Sequence, residues 1–150
     1  MRPRFEILAH LAKEELAQRL EDSNTARQFG FQLDAAEVGR AILRMKVKEQ
    51  HKQVHGVVHG GVLAALADTA GGLATYMAVP RGTRIATVEM KINYLEPVEK
   101  GVLVADARVI RRGKNLAVVD CDVREVGGEL VAKALMTFSI GPVERKRRRP

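Results

Sequence analysis

Gln53-Val54-His55-Gly56-Val57-Val58-His59-Gly60-Gly61-Val62-Leu63-Ala64-Ala65-Leu66-Ala67-Asp68-Thr69-Ala70-Gly71-Gly72 decides how this 150-residue chain folds. From Val57 to Val79 the only charged side chain is Asp68. An apolar run of that length could span a bilayer. Four glycines, six alanines and a carboxylate at mid-segment argue against a span, because a central Asp is costly in lipid. A helix apolar on all sides in a soluble protein is a buried one. The segment therefore predicts a long central helix beginning near His59.

Outward from that helix the pattern changes to period two. On its C-terminal side, after Pro80-Arg81-Gly82, Val88, Met90, Ile92 and Tyr94 share one face, with Thr87, Glu89, Lys91 and Asn93 on the other. Leu103, Ala105, Ala107 and Val109 alternate next, then Ala117, Val119, Cys121 and Val123. A Gly127-Gly128 hairpin of the two-residue kind leads into Leu130, Ala132, Ala134, Met136, Phe138 and Ile140. Short turns make these last three strands antiparallel neighbours. On the N-terminal side, Phe29 to Ala35 and Arg40 to Lys48 form a strand pair. Leu8, Leu11, Ala12, Leu16 and Leu20 recur at helical spacing, and that helix ends near Glu21 to Asn24. The expected class is α+β, an antiparallel sheet wrapped around one long helix with an extra N-terminal helix. The central helix needs a further surface on its open side, which a twofold dimer supplies.

Composition limits the function. The hydrophobic fraction of 46% and charged fraction of 29% describe an ordinary globular chain. The net charge of +7 suggests nucleic acid, but residues 144–150 alone hold five of the 25 basic residues and one of the 18 acidic ones. The chain thus reads as one domain over residues 1–143 and a basic, solvated tail over 144–150, with no nucleic-acid module. No apolar leader follows Met1, so a cytoplasmic location is expected. Cys121 is the only cysteine and falls among inward-facing residues. His51 and His55 lie in a loop without companion ligands, so no metal is expected.

Two features carry chemistry. His59-Gly60-Gly61 opens the helix, where the first-turn N–H groups lack intrahelical partners. With the helix dipole behind them they can polarise a carbonyl or hold an oxyanion. The glycines could equally serve close packing alone. The second feature is Asp68, a carboxylate in an apolar helix, which must be paired, hydrogen-bonded or functional. Asp68 follows Gly60 by eight residues, about 12 Å along a helix. A carbonyl held at Gly60 is therefore out of reach of the same chain's Asp68. If both act on one bond, they come from different chains, and the site lies in two copies at a dimer interface.

From about Gln53 to Ile140 the chain resembles the hotdog-fold acyl-CoA thioesterases of the phenylacetic-acid-degradation type. The residues carrying the likeness are Gly56-Val57-Val58-His59-Gly60-Gly61, Leu66-Ala67-Asp68, Thr87 through Pro97, and Arg112-Gly113-Lys114. The resemblance implies dimers, often tetramers, and hydrolysis of an aryl- or medium-chain acyl-CoA without metal or organic cofactor. It implies that the Gly60 N–H of one subunit polarises the thioester carbonyl. Asp68 of the neighbour then acts as nucleophile or as general base for water. His59 would support the helix-start loop, and Thr87 would position the attacking water. Gln53, standing where several relatives carry Asn, would sit by the sulfur or the nucleophile. Coenzyme A would lie beside Gly61 and Arg112-Gly113-Lys114, although a solvated turn is the plain alternative for the latter. Two rival functions on this fold are a non-catalytic acyl-CoA-binding regulator and an acyl dehydratase. A regulator of the first kind that binds DNA would be expected to carry a helix-turn-helix, for which the single helix at residues 5–20 is too little. The second calls for a His–carboxylate pair at a spacing this chain does not have.

Overall fold

The computed structural model describes residues 4–143, with side-chain surroundings from residue 13 onward. The expectation of a basic tail over 144–150 lies outside the described residues. Helix α1 (Arg4–Asp22) and a short α2 (Asn24–Phe29) precede the hairpin β1 (Phe31–Glu37) and β2 (Arg40–Lys46). A single 3-10 turn, Glu49–His51, leads through a loop to α3 (Gly60–Tyr76). Strands β3 (Thr83–Tyr94), β4 (Val102–Arg112), β5 (Leu116–Glu125) and β6 (Leu130–Val143) complete the chain. All pairings are antiparallel, in the order β1-β2-β4-β5-β6-β3. The sheet curls around α3, which packs against β2 through β6. This is the hotdog architecture.

Small residues let the helix settle on the sheet. Ala41 faces Ala107, Ala107 faces Cys121 and Cys121 faces Ala134 across four strands, all of them fully buried. Leu43, Met45, Leu103, Val119, Val123 and Met136 flank that low row and interlock with Leu63, Leu66, Ala67, Ala70 and Ala74. Burying each of the larger side chains contributes roughly 1.5–3 kcal/mol. Gly71 lies so close to β6 that a Cβ there would come within 2.6 Å of Met136 Cε. The Gly71-Gly72 pair thus serves helix–sheet packing at its first member, while Gly72 borders an open cleft. On the outer face Arg40 forks onto Asp106, and Lys133 reaches Asp120 and Asp122. Burial also pushes the Cys121 thiol up to about 12, aided by Asp122, so it is an inert core group.

Three details differ from the periodicity reading. Phe29 ends a helix instead of starting a strand: Ser23 caps α2 by accepting from the Ala26 N–H, and Gly30 closes it at φ 74°. The β5–β6 connection is a three-residue loop, Val126 to Gly128, because the Gly128 N–H donates to the Glu125 carbonyl and Glu125 still pairs with Glu129. Gly127, at φ 74°, makes that turn possible. The third difference is a β-bulge in β3, where Thr87 pairs with Phe138 but Glu89 with Thr137. Val88 is the extra residue and is 57% exposed. A bulge switches the parity of a strand. Thr87 therefore faces α3, and so do Met90 and Ile92 beyond the bulge.

Candidate active site

The start of α3 is prepared by the loop before it. His51 is buried with both ring nitrogens engaged. The Lys48 N–H donates to Nδ1 at 2.9 Å, so Nε2 carries the proton and donates to the Phe29 carbonyl at 2.9 Å. Burial pushes its pKa below the ordinary histidine value, while the Phe29 carbonyl opposes that fall. The His51 carbonyl accepts from the His59 N–H at 2.8 Å, and the Val98 carbonyl from the Val58 N–H at 2.8 Å. Gln53 closes a tight turn in this loop. Its N–H donates to the Val57 carbonyl, and its Oε1 accepts from the His55 N–H.

His59 is the N-cap of α3, and its Nδ1 accepts from the Gly61 N–H at 2.8 Å. A Cβ on Gly61 would lie 2.9 Å from that nitrogen, so the cap needs glycine there. The His59 carbonyl takes the N–H groups of Val62 and Leu63. Of the first-turn donors only the Gly60 N–H has no partner among the described residues. The Gly61 N–H is committed to the cap, so it is not a second free donor. Tyr94, 51% exposed, leans on Gly60, where a Cβ would meet Cζ at 3.1 Å.

Two turns further along α3, Asp68 is half-buried and accepts from the Thr87 hydroxyl at 2.7 Å on Oδ1. The β3 bulge aims Thr87 at it. One carboxylate oxygen is thus fixed, and Asp68 borders a cleft of about 270 Å³. The cleft is bordered by Thr69, Gly72 and Tyr76 of α3, by Phe138 of β6, and by Arg19 and Leu20 of α1. A carboxylate held at the mouth of such a cleft can attack an electrophilic carbon or take a proton from water.

The sequence-derived residues therefore form three groups. Asp68 and Thr87 touch. Gln53, His59, Gly60 and Gly61 gather at the helix start, about 12 Å away along α3. Arg112 and Lys114 stand exposed on the β4–β5 hairpin, where the Gly113 N–H donates to the Leu116 carbonyl at 2.8 Å. The spacing that separates the first two groups is the one expected. Two residues were missed as site components. His51 was weighed only as a metal ligand, and Tyr94 was read only as a member of the Met90 and Ile92 face, which brings it against the helix start. Among the described residues no group of three or more His, Cys, Asp or Glu is placed to hold a metal, and no helix is long and apolar enough to cross a membrane.

The family model described as the thioesterase superfamily matches residues 55–132, which include the helix start, Asp68 and Thr87. The chain belongs to the thioesterase superfamily. It is a hydrolase of thioester bonds. Acyl-coenzyme A thioesterase 13 of Homo sapiens is 34% identical over 111 residues, covering 73% of this chain and 79% of that protein. A thioesterase from Haemophilus influenzae superposes with a TM-score of 0.81 at 29% identity, over 90% of this thioesterase and 94% of that one. The PaaI protein of E. coli, from the phenylacetic acid degradation operon, superposes with a TM-score of 0.83 at 26% identity, over 91% and 97% of the two chains.

Proposed function

We propose that this thioesterase hydrolyses an aryl- or medium-chain acyl-CoA to the free acid and CoA, using Asp68 of one subunit and the Gly60 N–H of another. The observation that carries the reading is the separation on α3 of one free backbone donor, at Gly60, from one oriented carboxylate, at Asp68. A second copy completes the site by bringing its helix start to Asp68. Two features support that assembly: the half-exposed stripe of Ala64, Ala65, Asp68, Thr69 and Gly72 on α3, and the long edge strand β3. Sheet edges of that length are normally covered.

In this arrangement the Gly60 N–H, at the positive end of the helix dipole, stabilises the oxyanion that forms on the thioester carbonyl. The free oxygen of Asp68 either attacks the carbonyl carbon or removes a proton from the attacking water. On the base route, collapse of the intermediate breaks the carbon–sulfur bond and the CoA sulfur takes up the proton that Asp68 removed. On the nucleophilic route CoA leaves an acyl–Asp68 anhydride, which water hydrolyses to the free acid, a proton of that water going to the CoA thiolate. The side-chain N–H2 of Gln53 remains available to the sulfur or the attacking group. Arg112 and Lys114, exposed on the β4–β5 hairpin, meet phosphates of CoA in this reading.

The decisive experiment is CoA release from aryl and straight-chain acyl-CoAs by the wild type and Asp68→Asn. Turnover should fall at least about a hundredfold, the low end for a general base. Near-wild-type turnover in that variant would remove Asp68 from the chemistry. Label found in Asp68 after a single turnover in heavy-oxygen water would mark it as the nucleophile, because water then attacks the Asp68 carboxyl carbon of the anhydride, whereas a general base acquires none.

A further inference from the structure

The cleft at Asp68 has apolar walls of Leu20, Leu73, Ile85 and Phe138 and also carries Arg19 and Tyr76. It follows one stripe of α3 for eight residues, Asp68 to Tyr76, about 12 Å. Most of its polar groups are already committed. The Thr87 hydroxyl donates to Asp68, the Thr69 hydroxyl donates to the Ala65 carbonyl, and Ser23 Oγ accepts from the Ala26 N–H. The Arg19 guanidinium and the Tyr76 hydroxyl have no hydrogen-bond partner among the described residues. Arg19 lies over the Tyr76 ring with its central carbon 4.2 Å from the centroid. That contact restrains the side chain while leaving its N–H fork open. The wall that carries Arg19 is itself anchored, since Leu16 and Leu20 are buried and Glu15 pairs with Arg81 just before β3.

We propose that the Arg19–Tyr76 end of the cleft is a subsite for an anionic group, so that the preferred acyl chain carries a carboxylate at its far end. This rests on the thioesterase reading of Asp68 and names its substrate class. Charge sets the direction of binding. The carboxylate of Asp68 repels an anion at the near end, and the cation about 12 Å further on receives it. A bidentate carboxylate–guanidinium contact fits the open fork. Because Arg19 is exposed, the gain is limited by solvent screening.

The test compares two CoA thioesters of equal chain length, octanoyl-CoA and octanedioyl-CoA, with the wild type, Arg19→Gln and Arg19→Lys. The wild type should favour the diacid in kcat/KM. Arg19→Gln should lower the ratio of diacid to monoacid about two- to fivefold, through KM of the diacid, because one solvent-screened charge pair is lost. Arg19→Lys should retain part of the preference. A wild-type preference for octanoyl-CoA, or a ratio unchanged in Arg19→Gln, overturns the subsite. If no protein hydrolyses either thioester, the medium-chain acyl-CoA reading fails instead. The same ratio, measured as Kd by calorimetry, then decides the subsite by itself.

Discussion

The start and the middle of α3 hold polar groups ready by opposite means. At the start the group is backbone, and what matters is which donors are spent. The His59 ring and carbonyl consume the N–H groups of Gly61, Val62 and Leu63 and leave that of Gly60. In the middle the group is a side chain, and what matters is orientation. The Thr87 hydroxyl fixes one oxygen of Asp68 and leaves the other without a hydrogen-bond partner among the described residues. A donor is left over by subtraction, and a carboxylate is oriented by addition. The two ends should therefore respond differently to substitution.

The largest effect is expected at the helix start. Gly60 is the first residue of α3, where proline fits the helix. His59, at φ −62° and ψ 134°, already has the extended conformation required before proline. Gly60→Pro should keep the fold, checked by circular dichroism, yet lower kcat about 100- to 1000-fold, the usual loss for one oxyanion donor. A folded Gly60→Pro with ordinary turnover would end the comparison, because the donor would then lie elsewhere.

A smaller loss is expected in the middle. Thr87→Val keeps the shape but removes the hydrogen bond to Asp68, which should lower kcat about tenfold, in line with a bond to a charged acceptor. A loss matching that of Asp68→Asn would show that the hydroxyl touches the reacting water instead of only steering Asp68.

The smallest effect concerns the loop that supports the helix start. His51 is held neutral, with its pKa lowered by burial. Between the folded value and the ordinary value of 6.5, the unfolded chain binds more protons than the folded one. Its contribution to stability is thus complete above about pH 6.5 and declines as the pH falls below it. The urea midpoint of the wild type should drop between about pH 7.5 and pH 5, and His51→Gln should flatten that dependence. An equally steep slope in the variant would assign it to other groups.

The central helix and most of the sheet were readable because each obeys a period. The apolar run after His59 has nowhere to go but a core, and alternation in β4, β5 and β6 names the residues beneath it. The errors arose where a local hydrogen bond interrupts a period. Ser23 restarts a helix ahead of Phe31, and the bulge at Val88 turns Thr87 toward α3. Neither has a signature in apolar spacing.

The sequence by itself determined the α+β class, the buried helix, and the distance of eight residues between Gly60 and Asp68, because helical rise is constant. Only the tertiary structure decided that Thr87 grips Asp68, that Gly60 keeps the one unspent donor, and that α1 brings Arg19 to the far end of the cleft. The first and third of those facts depend on contacts between residues distant along the chain, and the second on the local cap that His59 places on the helix start. Their geometry is set by a bulge, a cap and the packing of α1, and none of these follows from the spacing of residue types.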